Sequence, residues 1–235
     1  MDASLLVFAK VPRPGAVKTR LTPALTPEEA ARVYTAFLRD TLRQVVQLEV
    51  DDVRLYLAPP LPDNGIADDG IDGLPAEVSV YRQKGDGLGA RMRRAFRETL
   101  RDGADRAVLM GSDHPTLPSS FLRQAFRSLE EARSLCVGPT EDGGFYLLGM
   151  STVYPQLFDG MSYSHSEVFA DTLARAQETD AEVTVLPEWY DVDTPQDLDR
   201  MQADLATDAV EAPNTRRIAG RLRLETISNR TSDPK

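Results

Sequence analysis

Short apolar runs alternate along the chain with longer segments of helical period, and this limits the fold more than any other feature. Leu5–Ala9, Val53–Ala58, Val78–Tyr81, Ala107–Met110, Leu135–Gly138, Phe145–Gly149 and Val183–Leu186 read as strands. Between them lie helical stretches. Thr26 is an N-cap, followed by Pro27 and the acids Glu28 and Glu29, and opens a helix to about Leu48. Leu88, Met92, Phe96 and Leu100 recur every four residues along a second helix with an arginine-laden outer face. Further helices are expected at Ser119–Glu130, Ser164–Gln177 and Pro195–Leu205. The pattern predicts an α/β fold with a mainly parallel sheet covered on both faces. Residues 1–208 form a single domain in this reading. Pro59–Pro75 is expected to be a mobile connection, and the basic stretch Ala209–Lys235 an edge strand or loosely attached tail.

Charge is spread unevenly. The chain holds 37 acids against 27 lysines and arginines, a net charge of −10. Ala3 to Pro27 nevertheless lacks any carboxylate, where even mixing would place roughly four. Within that window Phe8–Leu21 carries Lys10, Arg13, Lys18 and Arg20 together with Pro12, Pro14 and Gly15. The overall charge argues against a protein that coats nucleic acid. A local cluster can still hold a small phosphorylated ligand, since one unlike pair is worth about 4 kcal/mol at close range near a surface. The single cysteine, Cys136, excludes an internal disulfide and points to a reducing cytoplasm. The first apolar run is too short for a signal peptide or membrane span.

Ligands of open α/β sheets bind beyond the carboxyl ends of the strands, and the informative segments follow such ends. In the basic loop, Gly15 permits close backbone approach, while Lys18 and Arg20 offer a point charge and a fork of donors to phosphate. The loop is neither a P-loop nor a GxGxxG fingerprint, and a solvated basic turn would explain it without a ligand. In "LMGSDHP", Asp113 ends an apolar strand, where a carboxylate needs compensation. It suits Mg²⁺ or Mn²⁺, although a turn cap would use it too, and His114 is given no role. "GPTEDGG" presents Glu141 and Asp142 on a tight turn, either for acid–base work on a hydroxyl or simply to reverse the chain. In "YDVDTPQDL", Thr194 and Pro195 start a helix, leaving Asp191 or Asp193 as a second metal carboxylate. "QKGDGLGARM" has the small, flexible character of a loop packed on a nucleoside.

Taken in order, "FAKVPRPGAVKTRL", "QKGDGLGARM", "GSDHPTLP", "GPTEDGGFYLLG" and "DVDTPQDL" resemble the bacterial family of small nucleotide-diphospho-sugar transferase-like proteins. Members are often labelled glycosyltransferases, some of them assigned to arsenosugar biosynthesis, and the resemblance spans about Ser4 to Leu205. It implies a GT-A fold, a Rossmann-like three-layer α/β/α arrangement with a mixed sheet, and a cytoplasmic transferase. It implies Lys18 and Arg20 at the diphosphate with Lys10, Arg13 and Gly15 in the same loop, and Asp113 at the metal with Asp193 as second acidic contact. Gln83, Gly85, Asp86 and Gly89 would lie near the nucleoside, and Asp142, Gly143 and Gly144 on the acceptor side with Tyr163. The family usually has tryptophan, serine and threonine where this chain has Tyr163, Ser164 and His165.

The loop also resembles that of phospholactate guanylyltransferases, which consume a nucleoside triphosphate. The expected partners are therefore a nucleotide sugar or a nucleoside triphosphate, plus a small-molecule acceptor. A glycosyltransferase is favoured, mainly because the family motifs are closer than those of the guanylyltransferases, and the glycine-rich loop of sugar nucleotidyltransferases is also absent. Nucleotidyl transfer and non-catalytic nucleotide binding are the alternatives.

Overall fold

The computed structural model describes residues 2–58, 71, 73–207 and 210–231, with the backbone alone over 223–231. Seven strands form one sheet: β1 (Ala3–Ala9), β2 (Asp52–Leu57), β3 (Val78–Arg82), β4 (Arg106–Met110), β5 (Ser134–Pro139), β6 (Phe145–Met150) and β7 (Glu182–Val185). Their spatial order is β3-β2-β1-β4-β6-β5-β7. Every neighbouring pair is parallel except those of β6, which runs antiparallel to β4 and β5. The helices are α1 (Pro27–Val45), α2 (Gly87–Arg101), α3 (Ser119–Arg127), α4 (Val168–Ala176), α5 (Pro195–Leu205) and α6 (Pro213–Thr231).

The α/β/α layering follows from the central strand. All seven residues of β1 are buried, so each face must be covered. Leu5, Val7 and Ala9 pack with Leu38, Leu42 and Val45 of α1 and with Leu122 and Phe126 of α3. Leu6 and Phe8 pack with Met92, Ala95 and Phe96 of α2 on the other side, where Ala176 of α4 joins the same cluster. The Thr26 hydroxyl accepts from the Glu29 N–H while the Glu29 carboxylate accepts from the Thr26 N–H, so both ends of a capping box are present. Cys136 is buried, and burial pushes its thiol up to about 12, which leaves it unreactive.

Three expectations change. The region after Val210 is a helix rather than an edge strand or loose tail. Ala212, Thr215, Ile218, Ala219 and Leu222 recur at helical spacing, and Ala212 and Ala219 join the cluster that α5 makes with α1. The buried Asp40 of α1 accepts from the backbone N–H groups of Asn214 and Thr215, fixing the start of α6. The two-residue alternation in "GRLRLETIS" was the misleading signal. Second, α4 begins at Val168, not Ser164. Ser164 has φ 70, and the Phe169 N–H donates to the Gly143 carbonyl, which anchors the chain just inside the helix. Third, Leu88 is not core: it is 42% exposed. The connection expected at Pro59–Pro75 lies almost wholly outside the described residues.

Candidate active site

Succession along the chain moves outward from β1 to β2 and β3, then returns to the far side of β1 with β4. A crevice must open where the order reverses, at the carboxyl ends of β1 and β4. Lys10 leaves β1 there, and Gly111–Asp113 leaves β4. The basic loop folds over the crevice through a left-handed residue at Lys18, φ 48 and ψ 39, an unusual conformation for a non-glycine residue. Gly15, at φ 74 with open space around its Cα, supplies the preceding turn.

Lys18 is the centre of the site. Its ammonium lies 2.5 Å from Asp113 Oδ1 and 2.8 Å from Asp193 Oδ1, and its side chain is 3% exposed. The two aspartates are 40% and 35% exposed, so they face the crevice far more openly than the lysine does. Burial disfavours the charged lysine, but the attraction and hydrogen bonds of both carboxylates outweigh it and hold the ammonium firmly protonated. Burial likewise opposes the Asp113 carboxylate, and Lys18 overcomes this to hold it below the usual carboxylate range. Arg20 reaches Asp193 at 3.8 Å from the rim.

Around this trio the crevice divides into two lobes that share Lys10, Lys18, Leu88 and Asp193. One, of about 370 Å³, is lined by Phe8, Tyr34, Gln83, Arg91, Ser112 and Asp113. Gln83 is buried, and its amide donates to the carbonyl of Tyr56 at 3.0 Å and to that of Ala9 at 3.4 Å. The other lobe, of about 660 Å³, is lined by Arg20, Thr140, Asp142, Gly144, Phe145 and Tyr163. Asp142 Oδ1 accepts from the Thr140 hydroxyl at 2.6 Å and the Gly144 N–H at 3.1 Å, so this carboxylate also holds its own turn. Gly143 has φ 86, and a Cβ there would sit 1.8 Å from the Ser166 carbonyl oxygen, a contact only glycine allows. Burial pushes the Tyr163 phenol up to about 12, keeping it a neutral donor.

The structure thus gathers Lys10, Lys18, Arg20, Gln83, Asp113, Asp142, Gly144, Tyr163 and Asp193 at one crevice. Glu141 stands apart: it pairs with Arg200 at 2.7 Å, and that guanidinium lies over the Tyr190 ring, so it does not line either lobe. Arg13 is exposed and lines neither lobe. Gly85, Asp86 and Gly89 surround the start of α2, next to the crevice but lining a neighbouring cavity.

Sequence reading missed two contributors. The Tyr34 hydroxyl accepts from the Lys10 N–H at 2.9 Å and lies 2.8 Å from Ser112 Oγ, tying the two strand ends together. His114, given no role above, is 4% exposed and 2.8 Å from Asp191 Oδ1, which separates the jobs of the two late aspartates. Asp191 meets the histidine and Asp193 the lysine. No local pattern marks Tyr34, which sits within the apolar period of α1.

Burial works against a charged His114, yet Asp191 and Asp113 outweigh it and raise its affinity for the proton. A histidine that holds its proton more tightly when folded stabilises the fold below its unfolded value of 6.5, and the contribution disappears as pH rises through the higher folded value. In chelator-treated protein the melting temperature should therefore fall as pH rises from about 6.5, and His114→Gln should flatten that slope. An unchanged slope in the variant would contradict the assignment.

Two acids bridged by a buried ammonium leave a partial fit for a divalent cation. Among the described residues, no group of three or more acids, histidines or cysteines is arranged to hold a metal by itself. A Mg²⁺ that keeps most of its water and takes one or two carboxylates plus substrate phosphate suits the exposed oxygens of Asp113 and Asp193.

The comparisons agree with the resemblance drawn from the motifs. The profile of a family described as "uncharacterized protein conserved in bacteria" (DUF2064) matches residues 41–165, more than half of the chain. The chain belongs to this family. A candidate nucleotide-diphospho-sugar transferase from Desulfovibrio desulfuricans G20 is 31% identical, with all of both chains covered and a TM-score of 0.85. The family member described here therefore has the nucleotide-diphospho-sugar transferase fold. More distant structures share it. A 4-diphosphocytidyl-2C-methyl-D-erythritol synthase from Anaerococcus prevotii DSM 20548 is 10% identical, with 88% of this chain and 96% of that one covered and a TM-score of 0.57. A mannose-1-phosphate geranyltransferase from Thermus thermophilus is 16% identical over 88% and 80%, at a TM-score of 0.55. No curated protein matches the sequence. Among the described residues, no helix is long and apolar enough to cross a membrane.

Proposed function

We propose that the protein is a metal-dependent glycosyltransferase that moves a sugar from a nucleotide diphosphate to a small-molecule acceptor. One observation carries this reading. Lys18 lies between two carboxylates that face the crevice, leaving a formal charge of −1 on a floor bordered by the cations Lys10, Arg20 and Arg91 and by the further acids Asp142 and Asp191. Such a floor repels a bare diphosphate, and a bound Mg²⁺ or Mn²⁺ reverses its sign. Asp113 and Asp193 would hold the ion, which supplies charge neutralisation on the phosphate oxygens. Similarity at 31% identity to a candidate nucleotide-diphospho-sugar transferase supports the same donor class.

The remaining work falls to the chain's own side chains. Lys18 fixes both carboxylates in place. Lys10 and Arg20 flank the departing diphosphate from the rim. Gln83 and Arg91 border the nucleoside lobe. In the larger lobe, Asp142 orients the acceptor hydroxyl and takes its proton. The hydroxyl oxygen bonds to the anomeric carbon as the bond from that carbon to the diphosphate breaks.

Nucleotidyl transfer is the second reading, favoured by the cations that line the crevice besides the paired Lys18: Lys10, Arg20 and Arg91 are more than a diphosphate beside a metal needs. Incubation with Mg²⁺ or Mn²⁺, nucleotide sugars, nucleoside triphosphates and an acceptor panel decides between them. Release of nucleoside diphosphate from a nucleotide sugar, lost in Asp113→Ala, is the expected result. Pyrophosphate released from a triphosphate would replace it with the second reading. Nucleotide binding without turnover would overturn both.

A further inference from the structure

We propose that a second cavity, next to the acceptor lobe, binds an anionic group carried by the acceptor. This rests on the transferase reading above and names the class of acceptor. The cavity, about 740 Å³, shares Leu88, Tyr163 and Ser164 with the acceptor lobe. Four cations line it, Lys84, Arg93, Arg94 and Arg97, against the two carboxylates Asp86 and Asp159. Arg93 pairs with Asp159, and Arg94 pairs at 2.7 Å with Glu98, which is not part of the lining. Among the described residues, neither Lys84 nor Arg97 has an ion-pair partner.

Helix stability does not account for this arrangement. Arg93 and Arg97 stand one turn apart on α2, where like charges repel. The first turn of α2 holds no acid to offset them. In a chain with a net charge of −10, acids were plentiful enough to offset them. An oxyanion between Lys84 and Arg97 would relieve the repulsion through charge-assisted hydrogen bonds.

The partition between cavity and lobe is itself tightly held. Tyr163 packs so closely on Gly89 that a Cβ there would lie 2.9 Å from the ring, and the next residue, Ser164, adopts φ 70. Strained backbone persists where surrounding structure insists on it, and here it sets the wall between two binding spaces. A molecule reaching past Tyr163 would place its hydroxyl beside Asp142 and a phosphate or carboxylate against Lys84 and Arg97. Acceptors are thus small molecules bearing an oxyanion away from the reacting hydroxyl.

Matched probes test this on the full chain. Isothermal titration compares glycerol 3-phosphate with glycerol, glucose 6-phosphate with glucose, and 3-phosphoglycerate with glycerol, with the donor lobe filled by a nucleoside diphosphate and Mg²⁺. At least one anionic member should bind about tenfold or more tighter than its neutral partner. The double variant Lys84→Gln/Arg97→Gln should remove that preference while nucleoside diphosphate affinity stays within about twofold. Both side chains are exposed, so circular dichroism should show an unchanged fold. Equal binding of charged and neutral members across the panel would overturn the proposal. So would a preference that survives in the double variant, or nucleotide affinity lost alongside it, which would assign the cavity to the donor. Failure of the donor reading shows separately, as wild-type protein that binds no nucleotide.

Discussion

Lys18→Met should unfold several degrees below wild type and transfer at least about 100-fold more slowly. Methionine is unbranched and matches the lysine stem up to Cε, so the change removes chiefly the ammonium. Removing one partner from a buried ion pair costs about 3–5 kcal/mol when the remaining charge is sealed from water. Asp113 and Asp193 are 40% and 35% exposed, so solvent absorbs part of that cost and roughly 2 kcal/mol is the better figure. In a chain of this size that corresponds to a drop of roughly 5 °C. The acid side should change as well. In wild-type, metal-free protein the depressed Asp113 contributes stability above its unfolded value of 3.8 and loses it only as pH falls through the lower folded value. Without the ammonium, two neighbouring carboxylates compete, and acid unfolding should begin at a higher pH. Thermal melts across pH and a donor-cleavage assay measure both effects. Wild-type melting together with wild-type turnover would remove Lys18 from the centre of the site.

Gly143→Ala should be the most disruptive single methyl group in the acceptor half. The added carbon would lie 1.8 Å from the Ser166 carbonyl oxygen, a backbone atom that cannot swing away as a flexible side chain would. The residue also sits at φ 86, which costs a non-glycine residue about 1–3 kcal/mol. Separation of the turn from the segment before α4 would break the Phe169 N–H to Gly143 carbonyl bond, worth about 1 kcal/mol. Together these predict a loss of roughly 3 kcal/mol. Function should divide. The turn borders the acceptor lobe and not the nucleoside lobe, so nucleotide affinity should persist while acceptor-dependent transfer collapses. Parallel loss of nucleotide binding would show that the two lobes are not separable. A variant that melts and transfers like wild type would show that the turn relaxes freely.

The sequence made much of this architecture legible because the deciding interactions are local. The N-cap at Thr26 and the helix start at Thr194 involve side chains and amides three residues apart, and both formed as expected. Apolar runs bounded by turn residues located all seven strands to within a residue or two. Asp113 was legible because a carboxylate at the end of a buried strand demands a partner. What failed was read from too short a window. The alternating "GRLRLETIS" suggested a strand, whereas the helical spacing of Ala212, Thr215 and Ala219 upstream, with a remote cap from Asp40, made a helix. Leu88 kept the period of its helix but lies one turn beyond the core contact, where the helix overhangs the crevice.

By itself, then, the chain determined its seven strands, most of its helices, the layered α/β class and the acid-free loop after the first strand. Tertiary structure decided which acids do which work. Glu141 and Asp142 are neighbours in sequence, but one turns outward to Arg200 and the other lines the larger lobe. Asp191 and Asp193 are two residues apart, and one meets His114 while the other meets Lys18. Lys18 and Asp193 are separated by 175 positions and touch only because strand order reverses beside β1. Hydrophobic period and capping act over a few residues and can be read along the chain, whereas the field at a carboxylate is set by whichever charges the fold brings within a few ångströms.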